Sequence, residues 1–221
     1  MALVMAAQRE GPYLAAAVRC AAEALWELQV QDVPVELLLV LHGADRTTCE
    51  AAAQLRRGCA VPLRWLTRHR RGQAQAWNAG IRNTRQSWIA LSTVDDLLSP
   101  NWCRAVNHAI KTQPPDQARC SVFHPRQLVC FETQQQLQLL PDQSELVHPL
   151  AAVLSQEIWP GSCVAHRSVF QVCPLQPELS TLPTVLGHAL WTWHGRSVQA
   201  GVAHRVLEST CQFRRVRAAV A

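Results

Sequence analysis

Short continuous apolar runs and longer amphipathic stretches take turns along residues 1–112. "ALVMAA" (2–7) predicts a strand, and the polar turn "QREGP" follows it. Over 13–29, Leu14, Val18, Ala21, Ala22, Leu25 and Leu28 recur at helical spacing and predict an amphipathic helix. "VELLLVL" (35–41), bounded by Pro34 and Gly43, shows no alternation, which suits a strand covered on both faces. A helix over 44–57, capped near Asp45 or Thr47, follows it. Next come a short strand "VPLRWL" (61–66), a helix after Gly72 and a strand "SWIALS" (87–92). A helix over 99–112 has Ser99 as N-cap and Pro100 at its first position. Repeated strand–helix alternation predicts a doubly wound, mostly parallel sheet with ligands at the carboxyl ends of its strands.

From residue 113 onward the pattern changes. "CSVFHPRQLVCFETQQQLQLL" (120–140) predicts two strands in a hairpin. Helix is expected over 144–156 and 182–195, a strand running into a helix over 161–173, and a closing strand over 197–208. No linker or repeat interrupts the chain. The expectation is one domain over 1–221, with an open α/β half (1–112) and a smaller mixed half (113–221).

Composition sharpens this only slightly. The chain has 221 residues, 48% apolar and 17% charged, an ordinary globular balance. Its formal charge is +5, and nearly all of the basic charge is arginine, densest in "RWLTRHRR" (64–71) and "RRVR" (214–217). Such patches meet phosphates or form a solvated face. Nucleic-acid binding is not expected, because the aromatic and basic interleaving of a known module is absent. Nine scattered cysteines form no CxxC pair and no zinc spacing, and with no export signal they suggest reduced thiols in a cytosol. No apolar run approaches the roughly 20 residues that span a bilayer, so the expected setting is cytoplasmic, soluble or peripheral to a membrane.

Two adjacent carboxylates, Asp95 and Asp96, follow the strand at 87–92. The surrounding "GQAQAWNAGIRNTRQSWIALSTVDDLLSPNW" resembles the "GxxxARNxGIxxAxGxYIxFLDxDDxLxPxW" pattern of glycosyltransferase family 2. Gly72, Asn78, Gly80, Ile81, Asp95, Asp96, Leu98, Pro100 and Trp102 fall in step. "WPGSCVAHRSVFQ" (159–171) is similar to the family's "xxGSxxxRRSxF", and "REGPYLAAAV" to its stretch after the first strand. The resemblance covers nearly the whole chain. It implies a GT-A fold, with a Rossmann-like parallel sheet and a smaller mixed C-terminal part.

It also implies a sugar transferred from a nucleotide-diphosphate donor to a glycan or lipid-linked acceptor, with inversion, assisted by Mg2+ or Mn2+. A divalent cation stabilises the departing diphosphate, and carboxylates at a strand end hold it. By resemblance Asp95 faces the metal and Asp96 is its acceptor-side neighbour. Thr93 replaces the first acid of the family's Asp-x-Asp and keeps only a hydroxyl for the ribose. Gln8, Glu10, His42, Arg71 and Asn78 take nucleotide-side positions, and His204 is a late histidine that some GT-A enzymes use on the metal. The family's base-contacting "DDGS" is replaced by Leu41 and His42 before Gly43, and its "ARN" by "AWN" through Trp77. Its late "ED" base is replaced by Leu186 and Gly187, which leaves His188 as the nearest titratable group. Glu178 is a further candidate. Trp191 and Trp193 either stack on a sugar or belong to the core. The alternative to a transferase is a degenerate GT-A module that binds a nucleotide, sugar or protein partner without turnover.

Overall fold

The computed structural model describes residues 1–55, 58–69, 71–176 and 189–217. Strands β1 (Ala2–Ala7), β2 (Glu36–His42), β3 (Leu63–Arg68) and β4 (Trp88–Thr93) alternate with helices α1 (Gly11–Gln29), α2 (Arg46–Leu55) and α3 (Gln73–Asn83). β1 lies between β2 and β4, and β2 pairs with β3, all parallel. Alternate residues of β1 and β2 serve opposite faces. Leu3, Met5, Leu37 and Leu39 pack against Leu14, Leu25 and Leu28 of α1. Val4, Ala6, Leu38 and Val40 pack against Trp77 and Ile81 of α3. Both faces of these strands are therefore dry, which is why their apolar runs are unbroken. Gly80 lets α3 approach β1 closely, since a Cβ there would overlap Val4. Asp45 caps α2 as expected, its Oδ1 accepting from Thr48 N at 2.8 Å.

The chain then departs from expectation. Asp96–Leu98 form a short strand, β5, antiparallel to the long strand β9 (Ala203–Val216). Ser99 consequently caps nothing: its Oγ accepts from Cys211 N at 3.1 Å, and helix α4 (Trp102–Thr112) starts later than Pro100. Helix α5 (Pro115–Arg119) leads into β6 (Ser121–Glu132), which makes the expected hairpin with β7 (Gln136–Leu139). The helix expected over 144–156 shrinks to a 3-10 turn at Gln143–Glu145 and α6 (Pro149–Ser155). Pro149 disfavours a helical residue before it, and His148 sits at φ −130°, ψ 80°. β8 (Cys163–His166) and α7 (Arg167–Val172) form the expected strand-to-helix unit. Helix α8 (Ala189–Gln199) runs through Ser197, so the closing strand starts only after Gly201 and reaches Val216.

The sheet order is β3-β2-β1-β4-β8-β6-β9-β5, with β7 beside β6. β4 and β5 are four strand steps apart, roughly 19 Å if the sheet were flat. Yet Thr93 and Asp96 are three residues apart in the chain, at most roughly 11 Å. The sheet must curl back on itself, and Val94–Asp95 bridge the gap. No helix among the described residues is long and apolar enough to cross a membrane. All nine cysteines are unpaired.

Candidate active site

Two confluent cavities of about 380 Å³ each open at the carboxyl ends of β1, β2 and β4. They share Gln73, Thr93, Asp95 and Arg217. Gln8, Glu10, His42, Arg71 and Gly72 line the second, which thus gathers the nucleotide-side candidates spread over the first 71 residues. Trp77, Asp96, Glu157, Gly161, Leu190, Arg214 and Arg215 line the first.

Asp95 stands at the junction. Its Oδ2 accepts from Arg217 Nη2 at 2.6 Å, while its Oδ1 is buried with no hydrogen-bond partner. Burial pushes its pKa above the usual carboxylate value, partly opposed by Arg217. Asp96 is buried and wholly engaged: it accepts from Thr93 Oγ1 (2.9 Å), Gln212 Nε2 (2.6 Å) and Arg214 Nε (2.9 Å). Arg214 already pairs with its charge, at the place expected to face the acceptor.

In the second cavity, Gly72 N–H donates to His42 Nδ1 at 3.3 Å, which leaves the ring hydrogen on Nε2. Burial lowers the His42 pKa against the pull of Glu10, so the ring is neutral at pH 7. Gly72, at φ 128°, holds the turn from which α3 starts. Glu10 does not offer a free carboxylate. Its Oε2 accepts from Gln8 N and Arg9 N, closing the turn after β1, and its Oε1 faces Arg217 at 3.4 Å.

Two candidates are misplaced. Asn78 lines neither cavity: its Nδ2 donates to Leu175 O at 2.7 Å, tying α3 to the segment after α7. His204 pairs with Val122 on β9, whereas Arg214 pairs with Asp96. Those ten residues of strand, at about 3.3 Å each, put His204 far from Asp95. His188, Leu186, Gly187, Glu178 and Arg70 lie outside the described residues. Trp191 and Trp193 are core, their indole N–H groups bonded to Val153 O and Cys173 O. Trp77 is buried and donates to Ser92 O at 3.0 Å.

The site also holds residues that pattern alone did not assign to it. Glu157 faces the first cavity from the loop just before the "WPGS" stretch, whose pattern does not include it. The basic stretch at 214–217 is engaged with carboxylates. Arg214 pairs with Asp96, Arg217 with Asp95, and Arg215 with Glu132, the last also lying 4.2 Å over the Tyr13 ring.

The family model described as "Glycosyl transferase family 2" matches residues 2–170. The chain belongs to glycosyltransferase family 2. Its mixed α/β architecture, with a curled and mostly parallel sheet, is the GT-A fold of solved glycosyltransferases. S. aureus TarS 1–349 in complex with UDP-GlcNAc superposes at a TM-score of 0.69, with 10% identity, over 99% of this chain and 59% of that one. Mannosyltransferase PcManGT from Pyrobaculum calidifontis, in complex with GDP-Man and Mn2+, superposes at 0.58 with 14% identity, over 99% of this chain and 57% of that one. This family 2 chain thus spans about three fifths of the length of those structures. No curated protein matches it.

Proposed function

We propose that the protein transfers a sugar from a nucleotide-diphosphate sugar to a hydroxyl of a glycan or lipid-linked acceptor, with inversion at the anomeric carbon. The observation that carries this reading is the unpartnered Asp95 Oδ1, buried where the two cavities meet. A divalent cation such as Mg2+ or Mn2+ fits there, because such ions need only one or two protein carboxylates when a diphosphate supplies further oxygens. Charge balance argues the same way. Four carboxylates (Glu10, Asp95, Asp96, Glu157) and four guanidinium groups (Arg71, Arg214, Arg215, Arg217) line the cavities, so an incoming diphosphate calls for added positive charge. When bound, the cation would stabilise negative charge on the leaving diphosphate. The comparison proteins support the ligand class, being bound to UDP-GlcNAc and to GDP-Man with Mn2+.

In this reading the second cavity takes the nucleoside. The His42 Nε2–H donates to it, Thr93 Oγ1 accepts from a ribose hydroxyl, and Arg71 with the N-terminus of α3 meets the phosphates. The first cavity takes the sugar and the acceptor. Glu157 accepts the proton of the attacking hydroxyl as its oxygen bonds to the anomeric carbon and the bond to the diphosphate breaks. The unpaired cysteines suit a reducing, cytosolic setting, soluble or at a membrane surface.

A second reading has its own observation: Arg217 already occupies Asp95 Oδ2, as a built-in cation would in a non-catalytic nucleotide- or partner-binding module. Calorimetry with UDP and GDP, with and without Mn2+, and turnover on a panel of nucleotide sugars separate the two. Transfer is expected to yield Mn2+-dependent binding and turnover, both lost in Asp95→Ala. Nucleotide binding indifferent to Mn2+ and to Asp95→Ala, with no turnover on any donor, would establish the module instead.

A further inference from the structure

We propose that the protein binds a transition-metal ion, Zn2+ foremost, at a second and buried site formed by His124 of β6, His194 of α8 and His204 of β9. All three side chains are essentially inaccessible, at 1%, 1% and 0% exposure. One ring nitrogen from each lies within 4.8 Å of the others. The residues come from three separate elements and meet only in the folded chain.

The hydrogen bonds fix the state of His204. Ser197 Oγ donates its single hydrogen to His194 O at 2.9 Å, so it must accept from His204 Nε2–H at 2.8 Å. The His204 Nδ1 lone pair is then turned toward the cluster, 2.9 Å from His124 Nε2. A hydrogen bond that orients a ligand imidazole through its other nitrogen is the usual support of a metal site. A further ring nitrogen, His194 Nε2, is buried with no partner. Unpaired buried polar atoms call for an occupant.

The surroundings fit such an ion. Trp159 stacks on both His124 and His204, holding the two rings side by side, with His194 edge-on. Burial lowers all three pKa values, that of His194 to about 4, so the imidazoles are neutral and ready to ligate. The charge of Glu157 acts on His194 and partly offsets that of a cation. Zn–N bonds of about 2.0–2.1 Å in a tetrahedral site place ligand nitrogens roughly 3.4 Å apart, so His124 and His204 need open by only a few tenths of an ångström. Three imidazoles favour Zn2+, Cu2+ or Ni2+ over Mg2+, so this site differs in chemistry as well as place from the cleft at Asp95.

The test is the metal content of the intact protein expressed in Zn2+-supplemented medium, then unfolded in chelator and refolded with Zn2+ or Co2+. Near-stoichiometric Zn2+, visible d–d bands on Co2+ loading, and a Tm several degrees higher with Zn2+ than with chelator are expected. His124→Gln and His194→Gln should cut retained metal at least tenfold, while Asp95→Ala should retain it. A wild-type protein that is metal-free as purified, silent to Co2+ and unmoved in Tm by Zn2+ overturns the proposal. So does metal retained in full by both glutamine variants.

Discussion

β9 carries two polar clusters at opposite ends, and they differ in kind. Around Arg214–Arg217, carboxylates and guanidinium groups face two open cavities and pair with one another. Around His204, three imidazoles are walled in by tryptophan and stay neutral. Ionic partners make the difference: opposite charges can be held in pairs at a cleft, and burial without a counter-ion expels the proton instead. One strand can therefore present a charged cleft at one end and a ligand-ready neutral cluster at the other.

The charged end can be broken in graded ways. Asp96→Ala should cost the most stability, about 3 kcal/mol in urea unfolding, because it strands Arg214 and unpairs Gln212 and Thr93 in the core. Asp95→Ala should leave folding nearly intact yet lower transfer about 100-fold or more, read as turnover with Mn2+. Comparable turnover in the variant would remove Asp95 from the chemistry. Arg217→Ala should change stability by less than about 1 kcal/mol, since that pair is a third exposed on the arginine side, while tightening Mn2+ binding in calorimetry by freeing Asp95 Oδ2. Weaker Mn2+ binding would instead make Arg217 a support of the cation site.

The smallest effect concerns pH. His42 is held below its ordinary pKa of 6.5 by burial, so the folded state prefers the neutral ring. Its contribution to stability is complete above pH 6.5 and declines as pH falls through the lowered folded value. Wild type should lose a few tenths of a kcal/mol more than His42→Asn between about pH 7 and 5. Equal slopes would show the ring to be solvated.

The first half of the fold was legible because β1, β2 and β4 are buried on both faces and each crossover helix follows directly in sequence. The family resemblance, laid on that frame, marked Asp95 past the end of β4, His42 at the end of β2 and Arg71 before α3. β5 was missed because three residues carry no periodicity, and its pairing with β9 depends on residues 212–214. Asn78 kept its place in the motif, but its amide serves the backbone at Leu175. The arginines at 214–217 were visible as charge without any sign of their partners. His124 and His204 are 80 residues apart, and no local spacing could have joined them.

The antiparallel pairing of Asp96–Leu98 with Gln212–Arg214 also has a temporal side. On the ribosome, residues 1–112 can form their parallel layers soon after emerging, but the loop bearing Asp95 gains its anchor only once residue 217 has left the tunnel. Until then the nascent chain carries Asp95 on an unanchored edge, so the cleft should close only when both strands of that pairing have emerged.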